Sequence, residues 1–224
     1  MPQAPDDNMK VAREPDGYER ARLQPIEGRA SVWRAITESL DRWLPEPCDV
    51  VVDLGCGYGH FINHITAERC IGVDLRDCEP HLADGATFVR DSAAGALAKM
   101  ADGSVDPIMA SNLLEHLEWD DVAALLAEVA RTLRVGGRAV LLQPNFCYSA
   151  RSYFDDYTHR SVFTDKSLVG WVRAAGLEPL VVKPRYLPLT MNEGLPSSYW
   201  VTQLYLSLGS PIMGAQMLVV AERP

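Results

Sequence analysis

The segment Val51-Val52-Asp53-Leu54-Gly55-Cys56-Gly57-Tyr58-Gly59 constrains the fold more than any other part of the chain. The β-branched run from Asp49 to Leu54 reads as a short buried strand. The glycines after it let the backbone turn sharply and let a ligand approach main-chain atoms that a Cβ would block. Where glycines grip the pyrophosphate of a dinucleotide, the third falls three residues after the second. In this chain Gly59 falls two after Gly57, and His60 holds the expected glycine position. Asp53, just ahead of the Leu54-Gly55 step, suits a ligand carrying a positive amino group better than a diphosphate.

Strand and helix patterns alternate from there on. Phe61 to Ala67 reads as a helix, Cys70 to Leu75 as a strand, Thr87 to Arg90 as a third strand and Ser92 to Met100 as a helix. Val105 to Ser111 follows as a fourth strand, weakened by Pro107, which cannot donate to a ladder. Val122 to Leu133 is a helix opened by Asp120 and Asp121, where the helix dipole favours acids. Gly136-Gly137 breaks it before a fifth strand, Arg138 to Gln143. Asp165 to Ala175 is a helix capped by Thr164 or Asp165, and Leu177 to Val182 and Gln216 to Ala221 complete the strands. Between these two lies a long connection, Lys183 to Gly214, of the kind that forms lids and binding loops. Ahead of the first strand, Trp33, Ile36, Leu40 and Leu44 recur at helical spacing between Gly28 and Leu44. Such alternation argues for a mostly parallel sheet with helices on both faces.

Three acids stand at three successive strand ends: Asp53, Asp74 and Asp91. In open α/β sheets that carboxyl edge is where ligands bind. A carboxylate at Asp74 can accept both hydroxyls of a ribose, and one at Asp91 an adenine amino group.

Composition excludes some partners. The 224 residues carry 21 Lys+Arg against 30 Asp+Glu, a formal net charge of −9, with no dense basic run, so bulk nucleic acid is a poor partner. The N-terminus lacks the charged-then-apolar pattern of a secretory signal. Tyr199 to Leu208 is too short and polar to span a bilayer, which takes about 20 apolar residues. Five cysteines with no CxxC spacing argue against a disulfide framework or a cysteine zinc site and fit a reducing cytoplasm.

With these residues in place, the chain resembles the class I S-adenosylmethionine (SAM)-dependent methyltransferases. Asp53 to Gly59 is similar to their first motif and Gly72-Val73-Asp74 to their second. Val105-Asp106 through Ser111-Asn112-Leu113-Leu114-Glu115-His116-Leu117 is similar to their strand-four region, and Arg131 to Arg138 to the helix-turn-strand after it. Asp156-Tyr157-Thr158-His159, Phe163-Thr164-Asp165, Arg185-Tyr186-Leu187-Pro188 and Tyr205-Leu206-Ser207-Leu208 also resemble a bacterial subgroup linked to polysaccharide, glycolipid and natural-product pathways. The resemblance implies a Rossmann-like α/β fold: a mostly parallel seven-stranded sheet, helices on both faces and a C-terminal antiparallel strand. It implies SAM as cofactor and S-adenosylhomocysteine as product. Gly55, Cys56 and Gly57 would approach the methionine part, with Asp53 beneath the turn. Asp74 and Leu75 would hold the ribose, Asp91 and Ser92 the adenine, and Asn112 and Leu113 would lie near the sulfonium. Residues 1–45 would form an arm and helix over the cofactor, with Tyr18, Arg20 and Arg22 as lid contacts. Residues 46–224 would form the methyltransferase domain, with 145–164 and 183–214 lining the acceptor pocket.

Methyl transfer from a sulfonium releases a neutral thioether, so alignment matters most and a base is needed only for a poor nucleophile such as an alcohol. For a hydroxyl acceptor, His159 is the candidate base, oriented by Asp156 or Asp155. For a carboxylate acceptor, Arg151, Arg160 and Arg185 are candidate anchors, with Tyr157 and His116 as further pocket groups. Some related methyltransferases bind a divalent metal through Glu-x-x-Glu-His at this place. Here Asn112 replaces the first acid, and an amide is the weaker ligand, so a metal is not favoured. The residues point to O-methylation of a small molecule or glycan precursor. A nicotinamide oxidoreductase or a non-catalytic SAM-binding partner protein are the alternatives, and a homodimer is left open.

Overall fold

The computed structural model describes residues 28–188, 198–208 and 214–224. Seven strands form one sheet: β1 (Val50–Leu54), β2 (Arg69–Asp74), β3 (Thr87–Arg90), β4 (Val105–Ser111), β5 (Leu133–Pro144), β6 (Glu178–Leu187) and β7 (Gln216–Glu222). Their order across the sheet is β3-β2-β1-β4-β5-β7-β6. β1 to β5 pair in parallel, while β7 runs antiparallel between β5 and β6. The expected mostly parallel sheet with a C-terminal antiparallel strand is therefore present. Strand order reverses between β1 and β4, which opens the ligand crevice above their carboxyl ends.

Among the described residues six helices pack around it: α1 (Arg29–Leu40), α2 (Ala93–Ala98), α3 (Trp119–Thr132), α4 (Phe146–Ser149), α5 (Asp165–Ala174) and α6 (Tyr199–Ser207). Successive strand side chains point to opposite faces, so each central strand feeds two cores. Val52 and Leu54 of β1, Ile108 and Ala110 of β4 and Leu141 of β5 join Leu97 of α2, Leu125 and Val129 of α3 and Leu168 of α5. Val51, Met109 and Val140, one residue out of step, join Trp33, Ile36 and Leu40 of α1 and Leu206 of α6 on the other face. A parallel sheet covered on both faces needs such near-continuous apolar strands. No helix of the described residues is long and apolar enough to cross a membrane.

The sequence pattern and the structure part in a few places. Phe61 to Ala67 is a chain of turns and not a helix. Gly59 sits at φ +68, outside right-handed helix, and the seven residues after His60 include β-branched Ile62, Ile65 and Thr66. β6 runs on to Leu187, and α6 occupies part of the supposed long connection. α6 lacks a polar outer stripe: Trp200, Leu204 and Leu208 face outward while Thr202 is buried, which hides its helical period. Pro107 is accommodated at a register shift between β4 and β5. There the chain loops at Gly136 (φ +75) and Gly137, whose Cβ would lie 2.8 Å from the Arg134 carbonyl oxygen. Thr164 caps α5 as expected, in a reciprocal box with Ser167. The predicted lid residues Tyr18, Arg20 and Arg22 lie outside the described residues.

Candidate active site

The glycine turn hangs from β2 by its main chain. Gly55 N–H and Cys56 N–H both donate to the Val73 carbonyl, at 2.8 and 3.0 Å. Gly55, Gly57 and Gly59 all adopt left-handed φ, of 70°, 51° and 68°. An added Cβ at Gly55 would stand 3.3 Å from Leu113 Cδ1, which brings the loop after β4 onto the turn. Asp74 accepts Gly57 N–H at 3.1 Å through Oδ2 and Arg76 N–H at 3.0 Å through Oδ1. The Arg76 guanidinium closes over the same carboxylate at 3.3 Å. Arg76 is a further residue of the site, signalled in the sequence only by its position two residues after a strand-end acid. Asp53 is buried below the turn, where Ile62 N–H donates to it. Burial drives its carboxyl up to about 8, an effect only partly countered by that bond. Burial thus favours the neutral acid, and the bond from Ile62 N–H ties Asp53 to the turn. Cys56 and Cys78 are buried thiols in mutual hydrogen-bond contact, which together with burial pushes the Cys56 thiol far up.

The other predicted cofactor residues cluster along the same edge. Asp91 Oδ1 accepts Ser92 N–H at 2.7 Å, Oδ2 pairs with Lys99 at 2.6 Å, and the Lys99 bond holds the acid low. Ser92 caps α2 by accepting Gly95 N–H at 3.1 Å. Asn112 has φ +49, in the left-handed region, and its N–H donates to the Leu142 carbonyl at 2.8 Å. Leu75, beyond the end of β2, is exposed. The residues fit SAM in kind: a glycine cradle that a Cβ would fill, a carboxylate at the second strand end, and apolar Leu113 facing the turn.

The predicted acceptor segment 145–164 is fastened over β4 and β5. Buried Asn145 donates Nδ2 to Asp165 and to the Pro184 carbonyl, both at 3.0 Å. The Glu115 carbonyl accepts Arg160 N–H at 2.7 Å and Ser161 N–H at 3.1 Å. These bonds bring His159 beside Glu115-His116, and the two imidazoles meet edge to face with centroids 5.0 Å apart. His159 is oriented by main chain: its Nδ1 lies 2.6 Å from the Tyr153 carbonyl and donates to it. Asp156 accepts Thr158 N–H at 3.0 Å and Thr158 Oγ1–H at 2.6 Å. The Thr158 oxygen, its proton committed to Asp156, takes a hydrogen bond from His116 Nδ1 at 2.8 Å. Thr158 was the missed link, although Asp-x-Thr is the spacing of an Asx turn. Burial foremost, then neighbouring His159, lowers His116 to about 4, so it is neutral with Nε2 as its acceptor nitrogen. The Glu115 side chain is fully buried with neither carboxylate oxygen hydrogen-bonded among the described residues. Its carboxyl is pushed up to about 8 by that burial.

The arginines do not converge on this point. Arg160 pairs with Glu118 on the outer surface, and Arg151 is exposed. Arg185 donates to the Gly214 carbonyl at 2.9 Å and lies 4.5 Å over the Tyr148 ring. Tyr157 is exposed at the rim.

A sheet of this order, with a glycine turn, strand-end acids and an asparagine-leucine pair closing the crevice, defines the SAM-dependent methyltransferase class. Residues 26–182 match the methyltransferase-domain family, and the chain belongs to it. An uncharacterized methyltransferase of Mycolicibacterium gilvum (strain PYR-GCK) is 37% identical over 120 residues, covering 49% of this chain and 43% of that protein. The chain thus spans less than half the length of the curated relatives it matches. A SAM-dependent methyltransferase of Archaeoglobus fulgidus has the same fold, with TM-score 0.64 at 19% identity over 92% of this chain and 97% of that one. So does a chain of the complex between the Haloferax volcanii Trm112 methyltransferase activator and a methyltransferase, with TM-score 0.64 at 18% identity over 99% and 100%.

Proposed function

We propose that the protein transfers a methyl group from SAM to an oxygen of a small molecule or glycan precursor, with a hydroxyl as the acceptor. The observation that carries this reading is the placement of Glu115, His116 and His159 next to Asn112-Leu113, which closes on the Gly55 turn. The pairing of Arg160 with Glu118 and the bond from Arg185 to the Gly214 carbonyl support a hydroxyl over a carboxylate acceptor. When bound, SAM supplies an electrophilic methyl group, whose bond to sulfur breaks as the bond to the acceptor oxygen forms, leaving the electron pair on sulfur.

The chain's own groups do the rest. His159, held by the Tyr153 carbonyl through Nδ1, presents Nε2 to take the hydroxyl proton. The Asp156–Thr158–His116 chain fixes the second imidazole beside it. Gly55 and Gly57 admit the methionine part, Asp74 accepts ribose hydroxyls after Arg76 shifts, and Asp91 with Ser92 borders the adenine. Glycolipid, saccharide and natural-product alcohols are the acceptors to screen first, given the Asp156-to-His159 resemblance.

The test is turnover of radiolabelled SAM with such a panel. His159→Ala is expected to lower kcat by about 10²–10⁴-fold with S-adenosylhomocysteine affinity unchanged. Full activity of the variant on a true hydroxyl acceptor rules out the base. Stabilisation by NAD(H) and not by SAM would overturn the cofactor.

A further inference from the structure

We propose that Trp119, with Glu118 and Arg160 at its side, forms a subsite for a sugar ring of the acceptor, so that the preferred acceptor is an oligosaccharide or larger glycoside and not a free monosaccharide. The inference rests on the hydroxyl-acceptor reading above and names its substrate class. Trp119 opens α3 and is 43% exposed, although tryptophan is highly buried on average. One face of the indole lies parallel on Trp171 of α5, at 1° and 5.7 Å between centroids. Fully buried Phe163 meets it edge to face at 5.3 Å. These two rings hold the indole in place, so a ligand stacking on its open side has little left to order.

The main chain joins this platform to the proposed acceptor site. The Glu115 carbonyl holds the Arg160 and Ser161 amides, and Ser161 Oγ–H donates to the Leu117 carbonyl at 2.6 Å. Residues 160–163 thus run beside 115–119, with Arg160 against Glu118 and Phe163 against Trp119. Trp119 stands three residues after His116, a reach of at most about 11 Å. An acceptor with its hydroxyl at the histidines can therefore set a neighbouring ring on the indole. The chemistry beside the indole selects a saccharide. A pyranose has a face of C–H bonds, which packs on an aromatic plane, and a rim of hydroxyls, which need donors and acceptors next to that plane. Glu118 supplies a carboxylate acceptor and Arg160 a forked donor, both exposed and held in place by their own ion pair. A planar aromatic acceptor would leave that pair unused. α6 makes the contrast: Trp200, Leu204 and Leu208 are exposed there, but the helix carries no charged residue to complete such a site.

The test is to titrate gluco-, manno- and galacto-oligosaccharides of one to four residues into the full chain with S-adenosylhomocysteine present, by calorimetry and indole fluorescence. In at least one series affinity is expected to rise about tenfold from the monosaccharide to the longer chains, the scale of one aromatic contact, with a shift in indole emission. Trp119→Ala abolishes that gain and Trp119→Phe keeps most of it. Glu118→Gln lowers it by about threefold, as suits an exposed charge. Retained S-adenosylhomocysteine affinity shows that each variant is folded, and Trp119→Phe with Glu118→Gln carries the test if Trp119→Ala is not. Affinity independent of chain length, an equal gain in Trp119→Ala, or no binding in any series overturns the proposal. So does binding of a planar aromatic alcohol that shifts the indole emission when no saccharide does. Methyl transfer to a hydroxyl acceptor without length dependence would overturn the subsite alone. Length-dependent binding with no transfer from radiolabelled SAM to any of these saccharides would leave the subsite standing and overturn the hydroxyl-acceptor reading.

Discussion

Above β1 and β2 the site is built from main chain. The Val73 carbonyl holds two turn amides, Asp74 holds a third, and glycines supply the left-handed φ values. Above β4 and β5 the work passes to side chains, where Asn145 anchors the loop and Thr158 joins Asp156 to His116. The first arrangement is local in sequence and tolerates little change. The second spans some forty positions, from His116 to Thr158, and any one link can be replaced. On the proposed function, cofactor geometry is set at the strand ends and acceptor choice in a separately fastened loop.

If that division holds, mutations on the two sides separate binding from turnover. The largest effect is expected from His159→Ala, with kcat down by the factor given above and no change in S-adenosylhomocysteine binding by calorimetry. A matching loss of cofactor affinity would erase the distinction. Asp74→Ala removes two amide bonds and the ribose acceptor, each charged bond contributing about 1.5–3 kcal/mol where it is buried. Partial exposure discounts this, and cofactor affinity should fall by about 100-fold. Next, Gly55→Ala forces a side chain into left-handed φ at about 1–2 kcal/mol and presses on Leu113. At this chain length that lowers Tm by about 2–4 °C per kcal/mol, measurable by calorimetry. The smallest effect is Asp53→Asn. Because the folded carboxyl titrates near 8, above its unfolded value, its stabilisation is complete at acid pH and is lost as pH rises through 8. The variant should show a flatter fall of Tm from about pH 5 to pH 9, and an unchanged slope would mean Asp53 is ionised in the fold.

Legibility in the sequence follows the same division. The glycine turn, Asp74 and all seven strands could be read because alternation of apolar residues and glycine spacing are local signals. Asp53 was legible as a strand-end acid, but its full burial was not, since that depends on packing below the turn. Thr158 escaped notice as a link, and Glu115 was read without its full burial, because both depend on contacts between β4 and a loop some forty residues on. α6 was missed because its outward face carries Trp200 and Leu204. Spacing alone could not show that Arg160 pairs with Glu118 and that Arg185 lies over Tyr148.

One feature of the sheet bears on how the chain is made. β6 has β7 as its sole sheet neighbour, and β7 fills the place between β5 and β6. During synthesis β1 to β5 can assemble from the ribosome in order, each new strand finding a partner already present. β6 emerges with its future neighbour still unmade, and Asn145, whose side chain reaches the Pro184 carbonyl, waits with it. The nascent protein therefore has its glycine turn framed well before the loop at 145–164 is fastened. Until β7 arrives, β6 and the open edge of β5 are bare strand edges in need of protection from pairing elsewhere.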